Sequence, residues 1–189
     1  MKGLDAMSSP WQAQGMAMPF LQDGCRMTQR FFVAWLVFGP LVGLADCPSW
    51  PTKDRFVEKG AEVIDARLGL TWKRCSEGQR WHEGICEGRA SVFTQQVALS
   101  LAQAANKEPS PTPWRLPNVK ELASLADRGC RKPAIDSSAF PATPSNWYWS
   151  SSPYVGYSDY AWAVVFAYGS IGNGYRGYKG HVRLVRDSD

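Results

Sequence analysis

Histidine is nearly missing from this chain: there are two in 189 residues, His82 and His181. Neither has an acid or a nucleophile at motif spacing, so each reads as a surface or packed histidine rather than a catalytic base. Charge of one sign is lacking too. The formal net charge is +4, and removing residues 1–45 takes away three basic and two acidic groups to leave +3. That charge is too small and too dispersed for a nucleic-acid footprint. No Gly-rich phosphate loop follows a strand pattern, and the glycines of 169–180 have the spacing of turns. We expect no catalytic residue, no metal and no cofactor.

Long apolar runs are scarce as well. The longest, residues 31–45, holds 15 residues, short of the roughly 20 a membrane-spanning helix needs, and Pro40 interrupts it. Preceded by Arg30 and ending in Gly43 and Ala45, it has the three parts of a secretory signal peptide. We expect a signal peptide over 27–45, cleavage after Ala45, no transmembrane domain in the mature chain, and an exported product (periplasmic, cell-surface or secreted). Asp46 before Cys47 argues against lipidation. Residues 1–26 read as an unstructured N-terminal extension, with translation starting at Met27.

Cysteine usage agrees with export. After cleavage four remain, Cys47, Cys75, Cys86 and Cys130, and an even number in an oxidising compartment suggests two disulfides. Cys75 and Cys86 bracket a short loop containing Gly78 and Gly84, which leaves Cys47 for Cys130. The alternative is a metal site using Cys75, His82 and Cys86, for which no fourth ligand is evident.

The composition, 44% hydrophobic and 13% aromatic, is ample for one packed domain over 46–189. Strands are expected at 56–59, 61–65 and 70–74. Trp81 is expected to pack on the cysteine loop. Over 93–106 the period changes, with Val97, Ala98, Leu101, Ala104 and Ala105 on one helical face and Thr94 as N-cap. A second helix is expected over 119–127, capped by Asn118 with Glu121 three residues on.

Residues 147–186 hold all seven tyrosines. Strands are expected at 147–151, 161–168 and 181–186, with Trp149, Trp162, Val164, Phe166, Val182 and Leu184 buried, as well as Tyr148. Tyrosine-, serine-, glycine- and asparagine-rich loops lie between them. This mixture supplies broad aromatic contact and adaptable hydrogen bonding at low entropy cost, as in antibody paratopes. The expected contact set is Tyr154, Tyr157, Ser158, Tyr160, Tyr168, Ser170, Asn173, Tyr175, Arg176 and Tyr178, facing an unknown macromolecular ligand, protein before glycan. Arg115, Arg183 and Arg186 read as framework residues that satisfy carbonyls or a carboxylate such as Asp127 or Asp136, rather than as an anion site.

Five ordered motifs carry a resemblance. They are GLTWKRC at 69–75, WRLPNVKELASL at 114–125, PAID at 133–136, YWSSS at 148–152 and HVRLVR at 181–186. Together they resemble the Lcl-type C-terminal domain family, a former domain of unknown function. The resemblance implies an α+β, C-type-lectin-like fold: two helices packed on small irregular antiparallel sheets, with the chain ends close together. It also implies an exported, adhesin-like bacterial module. The terminal stretch is similar to that of variable proteins of diversity-generating retroelements. A formylglycine-generating-type enzyme is one alternative, though the cysteines read as structural here. A self-associating surface domain is another. The sugar-binding signatures of calcium-dependent lectins are absent; Glu108-Pro109-Ser110 lacks the amide.

Overall fold

The computed structural model describes residues 54–107 and 109–188. The chain divides into two units, Met1–Leu41 and Val42–Asp189, and every described residue belongs to the second. The expected extension, the signal peptide and Cys47 lie outside the described residues.

The architecture is α+β: among the described residues, nine short strands in three antiparallel sheets, with two helices. Strands β1 (Phe56–Lys59), β2 (Glu62–Asp65) and β3 (Leu70–Lys73) form a meander, and the last strand, β9 (Val185–Asp187), pairs with β3 to complete a four-stranded sheet. The two ends of the described chain are thereby tied together. β4 (Arg80–His82) and β5 (Ile85–Glu87) form a small hairpin. The third sheet has the order β6 (Trp147–Pro153), β7 (Tyr160–Val165) and β8 (Ser170–Tyr175).

One turn is used twice. Residues 66–69 join β2 to β3 and residues 166–169 join β7 to β8; in each the fourth residue is a glycine with positive φ, 65° at Gly69 and 68° at Gly169. Each glycine N–H donates to the carbonyl of the last strand residue, Asp65 or Val165, at 2.9 Å. Glycine reaches this left-handed backbone without a Cβ penalty.

Helix α1 (Gln95–Ala104) starts at Thr94, whose hydroxyl accepts from the Val97 N–H. It buries Gln95, Ala98 and Ala102, whereas Val97 and Ala104 are exposed, so its inward face is turned from the expected one. Small alanines let it approach β6 closely. Helix α2 (Val119–Ser124) has the expected capping box: the Asn118 side chain accepts from the Lys120 and Glu121 N–H groups, and the Glu121 carboxylate accepts from the Asn118 N–H.

Both faces of the β6–β7 ladder are covered. Tyr148 and Val164 pair across it and pack with Leu122, Leu125, Phe140, Phe166 and Trp72. Trp149 and Ala163, on the opposite face, pack with Ala98, Ala102, Val182 and Leu184. A completely buried Arg183 joins the core to its surroundings. Its guanidinium donates to the carbonyls of Lys73 and Arg74 and to the hydroxyls of Ser76 and Thr143, and it lies 4.8 Å from the Phe140 ring centroid. Tyr148 and Ser76 share a 2.6 Å hydrogen bond beside it.

Cys75 and Cys86 form a disulfide, as expected, which removes both as metal ligands. Cys130 is disulfide-bonded as well. Trp81 packs with the Arg74 guanidinium 4.3 Å from its ring centroid.

Candidate functional site

The site is built at one end of the third sheet. β6 is irregular between Trp149 and Pro153, and the chain leaves it through residues 154–159 before re-entering as β7. That loop is closed by its own main chain: Tyr154 N–H donates to Tyr160 O and Tyr160 N–H to Tyr157 O, both at 3.1 Å. At the same end β8 runs into a turn in which Tyr178 N–H donates to Tyr175 O at 2.9 Å. Arg176 links the two segments. Its N–H donates to Asp159 O at 2.8 Å and its Nε–H to Tyr160 O at 3.2 Å, while its carbonyl accepts from Gln95 N–H at the start of α1.

Six rings run in sequence across this end. Trp162 meets Tyr154 (ring centroids 5.0 Å apart), Tyr154 meets Tyr157 (6.3 Å), and Tyr157 meets Tyr160 (5.6 Å). Tyr160 meets Tyr175 across the ladder (6.2 Å), and Tyr175 meets Tyr178 (5.7 Å). Most of the contacts are edge-on or tilted, the geometry ring quadrupoles favour; only Tyr154 and Tyr157 approach parallel, at 22°. Tyr157 and Tyr178 are each 67% exposed and Tyr175 is 46% exposed, while Tyr154 and Tyr160 are half-buried beneath them.

The structure therefore brings together Tyr154, Tyr157, Tyr160, Tyr175 and Tyr178, with exposed Ser158 at the loop tip and exposed Asn173 on the same face of β8 as Tyr175. Arg176 belongs to the same end but is half-buried and committed to backbone. Tyr168 and Ser170 do not belong. They sit at the β7–β8 turn, the full length of a six-residue strand away, about 17 Å at 3.4 Å per residue or slightly less. Gly169 between them packs toward Ala126 and Ala134. The sequence pattern reads 169–180 as continuous loop because β8, SIGNGY, has two glycines and little strand propensity; pairing with β7 overrides that.

Trp162 is the converse correction. It was expected in the core, but it is half-buried and forms the inner end of the ring chain. The signal was present: period two puts Tyr160, Trp162 and Val164 on one face, and only Val164 lies under α2. Val155, 96% exposed at the loop, was not singled out.

The arginines expected in the framework are there. Arg115 pairs with Glu121 at 2.8 Å and with Asp187 at 2.8 Å, not with Asp127 or Asp136. The Glu121 hydrogen bond is the main reason its pKa lies above the ordinary value. Arg186 reaches Glu62 and Thr112 beside Trp114. Burial lowers the pKa of Arg183 and raises that of Tyr148, so this pair is a packed framework rather than accessible chemistry. His82 is exposed and 3.1 Å from Glu87; His181 is buried and donates from Nδ1 to Ser91 O. Among the described residues, no three His, Cys, Asp or Glu side chains are grouped to hold a metal ion, and no helix is long and apolar enough to cross a membrane. Clefts elsewhere, one at Glu62, Trp114 and Arg186 and one at Arg89, Asn146 and His181, include no member of the ring chain.

No curated protein matches the sequence. The family model for the Lcl C-terminal domain matches residues 61–186, from the start of β2 into β9. That match takes in both helices and all of the ring chain, and the chain belongs to the Lcl C-terminal domain family.

Proposed function

We propose that this chain is an exported, non-enzymatic, adhesin-like binding module of C-type-lectin-like architecture, whose ligand is a protein gripped by the ring chain. The observation that carries the reading is the contiguity of six aromatic rings on two hydrogen-bonded segments at one end of a sheet. A contiguous exposed aromatic patch on an otherwise packed domain marks an interaction surface. Tyrosines deliver large contact area for two frozen torsions each, and backbone bonds within the segments reduce the ordering cost on binding.

The ring angles favour protein over glycan. A sugar stacks best on a broad flat platform, and here neighbouring rings stand mostly edge-on to each other. Such a corrugated surface suits side chains that insert between rings. The segments keep their shape largely through main-chain bonds, Arg176 Nε excepted. That supports a face whose side chains can vary on a fixed backbone, as the similarity to diversified proteins implies. Two short helices on small sheets, with the first and last strands in one sheet, support the lectin-like architecture.

The test compares the wild-type chain with a Tyr157→Ala, Tyr175→Ala, Tyr178→Ala variant. Proteins captured by each are compared, and the differential one is purified and titrated against both. We expect at least a tenfold loss of affinity with an unchanged melting temperature. A variant that unfolds shows that the rings are core, and undiminished binding places the ligand elsewhere.

A further inference from the structure

The third sheet has one open edge. On the β6 side, Trp149 N–H donates to His181 O, His181 N–H to Trp147 O, and Ser151 N–H to Pro117 O, so that edge is covered. On the β8 side, no strand among the described residues pairs beyond it. Backbone hydrogen bonds fix which residues face out. Phe166 N–H donates to Asn146 O on the β6 side of β7, and Arg176 N–H donates to Asp159 O on the β8 side. With the register Val165↔Ser170 to Tyr160↔Tyr175, hydrogen-bonded pairs alternate along the ladder. Ser170, Gly172 and Gly174 therefore bond to β7, and the N–H and C=O groups of Ile171, Asn173 and Tyr175 point outward, the Tyr175 carbonyl also accepting from Tyr178.

Natural edges are protected by lysine, proline, bulges or brevity. β8 is regular over all six pairs and contains no charged residue and no proline. The edge strand β1, by contrast, carries Glu58 and Lys59.

We propose that β8 pairs antiparallel with β8 of a second copy of this chain, about a two-fold axis at Asn173, to join two three-stranded sheets into one of six. The outward residues are odd-numbered on both strands, so this register lets Asn173 exchange both backbone bonds with Asn173 of the second copy. Ile171 then faces Tyr175 of the second copy, and the reverse pair repeats it. A β-branched residue opposite an aromatic one is a favourable cross-strand pair. Ile171 and Tyr175 are 50% and 46% exposed in the single chain. The glycines at 172 and 174 share the other face, where Trp147 covers them. No like charges are opposed, because the strand is uncharged. Two-fold pairing consumes both open edges, so the assembly closes at two copies rather than growing into a fibre. It also places the two ring chains on one face of the joined sheet, at opposite ends of the paired strands. An edge of this length buries less than a standard interface, so the dimer is weak and concentration-dependent. This inference concerns the strand edge and does not rest on the ligand proposed for the rings, although Tyr175 and Asn173 belong to both surfaces.

Sedimentation of the purified full chain from low to several hundred micromolar tests it, with Asn173→Lys and Asn173→Pro. Lysine at the axis sets two like charges opposite each other. Proline removes an outward N–H that β7 does not use, and edges tolerate this. We expect the wild-type mass to double with concentration while Asn173→Lys stays monomeric with an unchanged melting temperature, and Asn173→Pro likewise. A wild type monomeric throughout, an assembly of three or more, or a dimer that persists in Asn173→Lys overturns the proposal. A Tyr157→Ala, Tyr178→Ala variant leaves β8 intact and is used as the ring variant here, so that loss of the dimer and loss of ligand binding are separate results.

Discussion

The Tyr175 ring lies across Gly177: a Cβ placed on Gly177 would stand 2.5 Å from Tyr175 Cε1. Tyr154 and Gly156 repeat the arrangement at 2.7 Å. Each exposed segment thus seats a ring on a bare stretch of backbone two residues away. Gly177 has no positive φ, so alanine fits its backbone and displaces only the ring. Gly177→Ala is expected to change stability by no more than about 0.5 kcal/mol, as for other surface substitutions. It is expected to weaken binding of the captured protein by more than about 1 kcal/mol, since it misplaces a hot-spot ring. Paired thermal melts and titrations check this; equal affinity would show that the Tyr175 orientation is irrelevant.

Much of this was legible in the sequence, because local rules decide it. Asn118 and Glu121 announce a capping box, and Trp149 and Val164 are buried strand residues as the alternation predicts; Val182 and Leu184 are buried too, but they precede β9 and do not alternate with exposed neighbours. What escaped was decided by pairing across distance. β8 is a strand because β7 presents a full register to it, not because SIGNGY favours one. Tyr168 and Ser170 look like their tyrosine- and serine-rich neighbours but are carried to the other end of the sheet by the turn at 166–169. The carboxylates that meet Arg115 come from α2 and β9, and nothing in the spacing distinguishes Asp187 from Asp127 or Asp136.

Arg183 is the most demanding residue of the core. It is fully buried, and among the described residues no carboxylate pairs with it; its two Nη groups donate to two carbonyls and two hydroxyls, and its Nε–H has no protein acceptor. Arg183→Ala strands those acceptors and empties the space beside Phe140. Each buried unsatisfied group costs about 1–3 kcal/mol, so a total loss of at least about 3 kcal/mol is expected in urea unfolding. A loss below about 1 kcal/mol would mean that water replaces the guanidinium without penalty.

The Cys75–Cys86 bridge closes a loop with a sequence separation of 11. Chain-entropy reasoning gives nearly 3 kcal/mol for a loop of about this size. The double variant Cys75→Ser, Cys86→Ser is expected to lose about 2–3 kcal/mol while retaining ligand affinity, because the β4–β5 hairpin contributes no ring to the face. Denaturant titration and binding, measured on the same preparation, separate the two effects.

Acid stability is expected to depend on His181. Burial is the main cause that pulls its pKa below the ordinary histidine value, with the Arg89 charge assisting and the Ser91 carbonyl bond opposing. The neutral ring donates from Nδ1 to Ser91 O at 2.9 Å, while its backbone bridges Trp147 and Trp149. As pH falls, the unfolded chain takes up this proton first. The contribution of His181 is therefore fully present above about pH 6.5 and is lost as pH falls through the lower folded value. His181→Asn keeps a donor for Ser91 and removes the titration. Its stability is expected to fall less steeply than that of the wild type below pH about 6.5, although it starts lower at neutral pH. The alkaline side reverses the sign at Tyr148, whose pKa burial raises above its ordinary value. There the unfolded chain ionises first, so stability holds below pH about 10 and is lost as pH rises through the folded value; Tyr148→Phe should flatten that limb alone. Parallel acid limbs for wild type and His181→Asn would show that His181 titrates alike in the folded and unfolded states.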